Sequence, residues 1–456
     1  MTNEAAELFQ QSSKTVAGVV QGLEVGPAPL PLRGVVARWG DEPFSRGSWT
    51  ALRPGASPES RRRLGVAIDD RFVVAGDATN PTAPSMVHGA WSQGRRAADW
   101  AAAVGRPGER VVVIGAGVAG LAAAEALSQQ QCEVVVVEAR DRIGGRTYSV
   151  QLGDTTVDLG AAWMQQLPTN PLVPVVDRLG LRRVPTDFAA PLAAAADGPV
   201  PDVAAALDAL AEHLATAVPS ASLADVLPAY LASLSPAQAR ATRLAVDVDL
   251  DLENGAPFEQ LSAVHVLAEP GVGAGDAWLP GGYRGIVDHL AVGLDVRLGH
   301  EVRSIRWDES EVRVCGQNAA GAPFEIVADR CICCIPVWLL PTLQIEPGLT
   351  DDHRAALADL AVCTVHKVVL QYSSRWWPRH PTGNNYLRWY DSPVNWGEWL
   401  DLSDHAPTPT VAGLIAGEAI DREYAGRDDA AVISAAHAAF VRWAAAVRSN
   451  SATPPS

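Results

Sequence analysis

The stretch that decides the fold is RVVVIGAGVAGLAAAEALSQQQCEVVVVEARDRIGGRT, residues 110–147. Residues 111–114 form an apolar run of the kind found in a strand buried on both faces. Gly115, Gly117 and Gly120 then spell GxGxxG. Gly115 permits the tight turn, Gly117 lets the backbone approach a pyrophosphate, and Gly120 lets the next helix pack close to the sheet. The helix continues through LAAAEALSQ. A second strand, 133–137, ends in Glu138. Glu138 stands 23 residues after Gly115, where a carboxylate can hold an adenosine ribose and favours FAD or NAD over NADP. A glycine-rich helix start in an unrelated α/β domain is the alternative. The strand, helix and terminal acid in this order favour a dinucleotide site. Residues 140–146 narrow the cofactor. Gly144 and Gly145 bring the chain close to a ligand, and Arg146 adds a fixed cation for phosphate. A surface turn with a solvated arginine is the competing reading.

The rest of the composition sets limits. A chain of 456 residues is too long for one ordinary core and fits two or three domains. Hydrophobic residues at 48% against 19% charged mark a globular chain. The net charge of -16, with no basic stripe, argues against nucleic acid as a partner and suits a cationic substrate. The six cysteines show no disulfide spacing. Cys331, Cys333 and Cys334 read as buried strand residues, and no second Cys/His cluster completes a metal site, so no metal is expected. The N-terminus lacks a basic region followed by an apolar core, so a cytoplasmic location is expected. The longest apolar run, 111–127, is explained by the fingerprint, so no membrane span is expected.

With these motifs in place the sequence resembles the flavin-dependent amine oxidase family, which includes monoamine and polyamine oxidases. The matching features are the GxGxxG turn, Glu138-Ala139, the RIGGR segment 142–146 and DLGA at 158–161. PGGYRGIVDHLA (280–291), HEVRSIRW (300–307) and ADRCICCIP also match. The resemblance implies non-covalent FAD. Its cofactor-binding residues would be Gly115, Gly117, Gly120, Glu138, Arg140, Gly145, Arg146, Gly160 and Ala161, with the backbone of Val302 at the adenine.

Family segments that normally close the chain stand here at its start. RWGDEPFSRGSWTALRPG (38–55) and FVVAGDATNPTAPSMVHGA (72–90) resemble C-terminal family segments but precede the fingerprint. The order therefore reads as circularly permuted, with new ends near Ser449 and in the first 25 residues. The expected fold is α/β: a Rossmann-like FAD-binding domain with an α+β substrate domain built from insertions. The FAD-binding domain takes 30–165, made of the permuted block 30–105 and the βαβ unit 108–165. The substrate domain takes 166–274 as its helical part and 339–425 as its sheet part. Residues 275–338 return to the FAD domain, and 426–449 add a helix to it.

The resemblance also assigns the site. Gly76 ends a strand against the cofactor, and Asp77 meets a ribityl hydroxyl or the pyrophosphate. A helix starting at Met86 or Val87 points its positive end at the flavin pyrimidine ring. His88, in its first turn, reads as structural. Ser48-Trp49 stands where some relatives carry the cysteine of a covalent flavin bond, and serine cannot form that thioether. Trp49 and Met86 would wall the substrate slot. Lys367 matches the lysine that holds a water near flavin N5, the alternative being a lysine whose ammonium reaches solvent at a strand edge. Trp163, Trp389 and Trp396, with Tyr390 and Trp399, are candidate pocket walls. Asp187, Asp197 and Glu398 are candidate partners for a distal ammonium, each competing with a solvated loop acid. The implied reaction is oxidation of a C–N bond of a primary or secondary amine by hydride transfer to flavin N5. Dioxygen would return as hydrogen peroxide, and the imine would hydrolyse to an aldehyde or ketone. An L-amino acid oxidase or oxidative decarboxylase is the alternative, with Arg388 as a carboxylate partner. A flavin-dependent desaturase or dehydrogenase is a further one. A homodimer is a candidate assembly.

Overall fold

The computed structural model of the chain describes residues 28–268 and 275–452. The new end expected in the first 25 residues and the domain boundary expected at 274 lie outside the described residues. The valine-rich strands Arg110–Ile114 and Glu133–Val137 pair in parallel, as β-branched residues covered on both faces do. They sit inside a five-stranded sheet ordered Asp295–Arg297, Glu133–Val137, Arg110–Ile114, Arg330–Cys333, Phe72–Val74. Every neighbouring pair in it is parallel. The strand Phe72–Val74, early in the chain, thus forms one edge. Its following helix, Val87–Val104, lies against the fingerprint helix Val118–Gln129. Close approach demands glycine at that contact: a Cβ on Gly94 would stand 2.0 Å from the Ala119 carbonyl oxygen. Gly120 serves the helix's own strand turn, where a Cβ would stand 1.9 Å from the Gly115 carbonyl oxygen.

A second, six-stranded sheet is ordered Arg33–Ala37, Val365–Gln371, Thr410–Ala416, Glu398–Asp401, Tyr386–Tyr390, Leu192–Ala195. Its pairs are antiparallel except the last. The sheet expected from residues 339–425 is therefore completed from outside that range. Arg33–Ala37 comes from the block assigned to the FAD domain, and Leu192–Ala195 from the helical part. The helix Asp429–Ala452 also departs from expectation. It packs on this sheet rather than the FAD sheet, against Leu192–Ala195, Arg33–Ala37 and Val365–Gln371. Its length and apolarity would suffice to cross a membrane, and more than half of its apolar window is buried inside the protein. Phe440 and Trp443 of this helix join Trp389, Trp396 and Trp399 in one core.

Strand parity corrects the expected pocket walls. Side chains alternate between the faces of a strand. In Tyr386–Tyr390, Leu387 and Trp389 face the C-terminal helix, while Tyr386 and Arg388 face a cavity. In Glu398–Asp401, Trp399 faces the helix and Glu398 the cavity. Trp399 lies 4.7 Å from Phe440 and 6.1 Å from Trp396, centroid to centroid. Trp389, Trp396 and Trp399 are therefore core residues. Tyr390, the other expected wall, packs with Val248 and Val394.

Residues 360–371 form two strands. Leu360–Cys363 pairs with Trp49–Leu52, and Val365–Gln371 enters the large sheet. Between them Thr364 turns its N–H to the Gly255 carbonyl at 2.8 Å. In the helical part, Asp202, Ser222 and Ser235 cap Val203–Leu214, Leu223–Ser233 and Pro236–Ala245. The last helix widens into a π-turn at Val246–Leu250 before Asp251–Asn254. Such widened turns re-aim side chains and recur at functional sites.

Because Trp399 is core, Trp399→Ala should lower the unfolding free energy by about 3–5 kcal/mol while the folded fraction still binds its dinucleotide. Denaturant titration checks this. Unchanged stability with lost ligand binding would return Trp399 to the pocket wall.

Candidate functional site

One cavity of about 540 Å³ runs between the two sheets. The fingerprint turn forms one end. Gly115 has φ +98°, and its N–H bonds the Val137 carbonyl at 2.7 Å, joining two strand ends. Glu138 is buried and oriented by that turn: its carboxylate accepts from the N–H groups of Ala116 and Arg140, both at 2.9 Å. The RIGGR turn docks beside it through Gly144 N–H to the Ala116 carbonyl at 2.8 Å. Gly145 presses so close that a Cβ there would lie 3.3 Å from Gly117. A Cβ on Gly160 would lie 1.8 Å from the Arg146 carbonyl oxygen. Ala161 and Val302 line the same cavity.

Gly76 and Gly117 show that this end fits a dinucleotide. A Cβ on either would meet nothing within 4 Å, so both leave backbone bare to the cavity. Bare backbone beside a buried, pre-oriented acid is the surface a pyrophosphate and ribose require. Glu138 would take the ribose and Gly117 the pyrophosphate. The two charged residues expected at the phosphates and ribityl chain both line the cavity and pair with each other. Arg146 donates to Asp77 at 2.6 Å and to the Ser48 carbonyl at 2.6 Å. Arg140 is likewise engaged, with Glu42, Glu138 and the Ser45 hydroxyl.

Further along stand Met86 and Val87, at the start of the 18-residue helix, then Trp49, Trp163 and Lys367. Ser48 has a structural task here. Its hydroxyl accepts from Val365 N–H at 2.9 Å and donates to the Val365 carbonyl at 3.0 Å. Lys367 does not reach solvent at a strand edge. It is buried, and its ammonium donates to the carbonyls of Gly160 at 2.6 Å and Asp158 at 3.1 Å. Desolvation pulls its pKa down to about 8, opposed by the carboxylates of Asp158 and Glu398. His88 uses both ring nitrogens, with Gln166 at 3.2 Å and Asn170 at 3.3 Å, a structural arrangement.

The far end holds a charged group that the sequence only partly announces. Arg388 pairs with Asp249 and Glu398, both at 3.0 Å, and Tyr386 donates its hydroxyl to Glu398 at 3.1 Å. With two carboxylates already beside it, Arg388 is a poor partner for a substrate carboxylate. Glu253 faces the cavity and is open to solvent there, yet lies deep within the protein. Burial pushes it up to about 7, with Asp249 and Glu398 adding to the rise and Arg388 opposing it. Of the three acids expected to meet an ammonium, only Glu398 lines the cavity. Asp197 is exposed and pairs with Arg240, and Asp187 belongs to a surface turn with Asn384. The sequence signal for Glu253 lies in VDVDLDLEN (246–254), where acids alternate with apolar residues. The segment belongs to the helical part, and after the π-turn the helical turn Asp251–Asn254 carries Glu253 in the cavity wall.

Comparison with known proteins agrees with this geometry. The chain matches the family model described as flavin containing amine oxidoreductase over residues 3–101 and 118–452. Residues 70–158 also match the pyridine nucleotide-disulphide oxidoreductase model. Polyamine oxidase 3 of Oryza sativa subsp. japonica is 30% identical over 301 residues, 59% of this chain and 60% of that protein. Lysine-specific histone demethylase 1 homolog 2 of Arabidopsis thaliana is 28% identical over 68% of this chain and 44% of its own length. The chain thus spans less than two thirds of these relatives. Among solved structures, cyclohexylamine oxidase from Brevibacterium oxydans superposes with a TM-score of 0.57 at 25% identity, covering 73% of this chain and 80% of its own. A putrescine oxidase bound to putrescine shares the fold, with a TM-score of 0.57 at 20% identity over 74% of this chain and 81% of its own.

Since Gly117 faces open cavity, Gly117→Val should keep the unfolding midpoint within a few degrees while the protein purifies without its dinucleotide. The absorption spectrum and a thermal melt, taken together, check this.

Proposed function

The chain belongs to the flavin containing amine oxidoreductases, a family whose cofactor is FAD, and from that premise we propose that it is an FAD-dependent amine oxidase acting on an amine that carries a second cationic group. One observation carries the reading: a single cavity joins the dinucleotide turn to Lys367 and ends at the acids Glu253 and Glu398. Bound FAD supplies the two-electron acceptor that oxidises the amine C–N bond to an imine, with dioxygen leaving as hydrogen peroxide and water releasing the aldehyde or ketone.

The chain's own residues bind and align. Gly117 and Gly76 would admit the cofactor's pyrophosphate against bare backbone, Glu138 would hold its ribose, and Val302 would meet its adenine. The N-terminus of the helix Val87–Val104 presents N–H groups where negative charge develops. Trp49 and Met86 form an apolar slot that strips water from the reacting amine. Lys367 offers a buried N–H donor beside that slot. Glu398 is engaged by Arg388, while Glu253 has no ion pair among the described residues and gives the far end its attraction for a cation. Polyamine oxidases and putrescine oxidase among the similar proteins act on such amines by name. An amino acid oxidase is less consistent with Arg388, whose guanidinium is already engaged.

The chain order is read as a circular permutation. The family model matches in two separate stretches. The C-terminal helix runs alongside the strand Arg33–Ala37 in the opposite direction: Asp429 meets Arg38, and Ile433 meets Gly34. The helix thus starts beside the end of that strand and passes its start. A chain with 28–105 moved behind 450 through a flexible linker should fold and bind FAD, as its absorption spectrum and melting curve would report.

Anaerobic addition of amines tests the activity. Diamines should bleach the bound flavin at lower concentration than monoamines or amino acids. Bleaching by amino acids alone would overturn the reading. Glu253→Gln should raise KM for a diamine by about 10- to 100-fold with little change for a monoamine. Because Glu253 is pushed up to about 7, it is neutral below that pH and anionic above it. Diamine affinity should therefore rise through neutrality in the native enzyme, and this rise should vanish in Glu253→Gln.

A further inference from the structure

The turn 187–191 joins the strand Val184–Thr186 to Leu192–Ala195, which lie in different sheets. Asp187, Ala189 and Ala190 are exposed, and of the whole turn only Phe188 lines the large cavity. Its side chain is what reaches inward. The ring stands 4.6 Å from the Tyr386 ring, nearly perpendicular to it, and 5.5 Å from the Trp163 ring, centroid to centroid. Tyr386 and Trp163 are both buried residues of the same cavity wall. A half-buried phenyl ring on a surface turn is thus inserted between two wall aromatics.

The turn is held from the strand that carries Tyr386. Asn384, two residues ahead of Tyr386, spends its whole amide on the turn backbone. Its Oδ1 accepts from Asp187 N–H at 3.1 Å, and its Nδ2 donates to the carbonyls of Asp187 at 2.7 Å and Ala190 at 2.8 Å. From within the turn, the Asp187 carboxylate accepts from Ala189 N–H at 3.0 Å. The peptide groups on both sides of Phe188 are therefore fixed, and the ring cannot swing out without breaking these bonds.

The neighbours of the ring give its place along the cavity. Trp163 belongs to the reacting end, where Lys367 Nζ lies 6.0 Å from its ring. Tyr386 belongs to the acid end, where its hydroxyl donates to Glu398 and the Arg388 guanidinium lies 5.0 Å from its ring. Phe188 stands between them, level with the chain that would join a reacting amine to a second cation. We propose that Phe188 is a specificity-determining residue that narrows the cavity midway, passing a straight methylene chain and turning away one that carries a ring, and that Asn384 is the residue that positions it.

This inference rests on the diamine reading of the site. Anaerobic reduction of the bound flavin tests it, comparing a straight-chain α,ω-diamine with bis(aminomethyl)cyclohexane, which carries a ring at its middle. The quantity read is the reduction rate constant divided by the dissociation constant. In the native protein it should favour the straight diamine by about 10-fold or more. Phe188→Ala should bring the ratio close to one, and Phe188→Tyr, which keeps the ring, should retain it. Asn384→Ala should lower the ratio with Phe188 intact. Loss of stability alone leaves the ratio unmoved, because both diamines report on the same folded, flavin-bound fraction. A native protein that takes both diamines equally would overturn the narrowing. An unchanged ratio in Phe188→Ala would overturn the role of Phe188, and one in Asn384→Ala that of Asn384. Native protein whose flavin neither diamine bleaches would bring down the diamine reading, and this inference with it.

Discussion

The rest of the architecture depends on where one buried ammonium finds its partners. Lys367 sits on a strand of the six-stranded sheet, but it donates to carbonyls of the segment 158–160, which leads out of the dinucleotide-binding half. An ammonium without water must be hydrogen-bonded or it gives up its charge. Those two carbonyls therefore tie the sheets at a set distance. Trp39 bonds the Leu159 carbonyl between them at 2.9 Å, and Ser48 clamps Val365 two residues ahead of the lysine. Three segments far apart in sequence are thus held at one point, and the cavity opens beside it.

The segment before the fingerprint contributes to every part of this arrangement. Phe72–Val74 extends the parallel sheet, Arg33–Ala37 extends the mixed one, and Trp49–Leu52 pairs with Leu360–Cys363. Removing it would leave three strands short of a partner and strip Trp49, Gly76 and Met86 from the cavity. Sequence position matters little to such packing, because strand pairing and helix docking depend on proximity and not on chain order.

Arg146 and Asp77 illustrate how far a motif can be trusted. Residue type and spacing place both at the cavity, and both are there. Their partners depend on three-dimensional distance, and a guanidinium 2.6 Å from a carboxylate forms a charge-assisted pair. The tryptophans teach the same lesson through parity. A one-residue step along a strand moves a side chain from cavity to core, so YLRWY offers Tyr386 and Arg388 to the site while sending Trp389 into the packing under the C-terminal helix.

The sequence by itself determined the features that act through local backbone geometry. The βαβ unit, the glycines at the turn, the acid ending the second strand and the helix starting at Val87 are all written within short windows. Each follows from φ freedom, hydrogen-bond spacing or side-chain periodicity. Lys367 was legible for a related reason: a lysine inside an apolar strand needs a task. Only the tertiary structure decided what lies across from what. The acids of 246–254 lie in a helical region, but only the fold shows that Glu253, just past the π-turn, is the one at the cavity. The large sheet recruits strands at 33–37 and 192–195 that no local pattern assigns to it. Asp158 and Lys367, more than 200 residues apart, meet as a carbonyl and an ammonium. Such pairings are set by burial and long-range packing, which a linear chain does not display until it is folded.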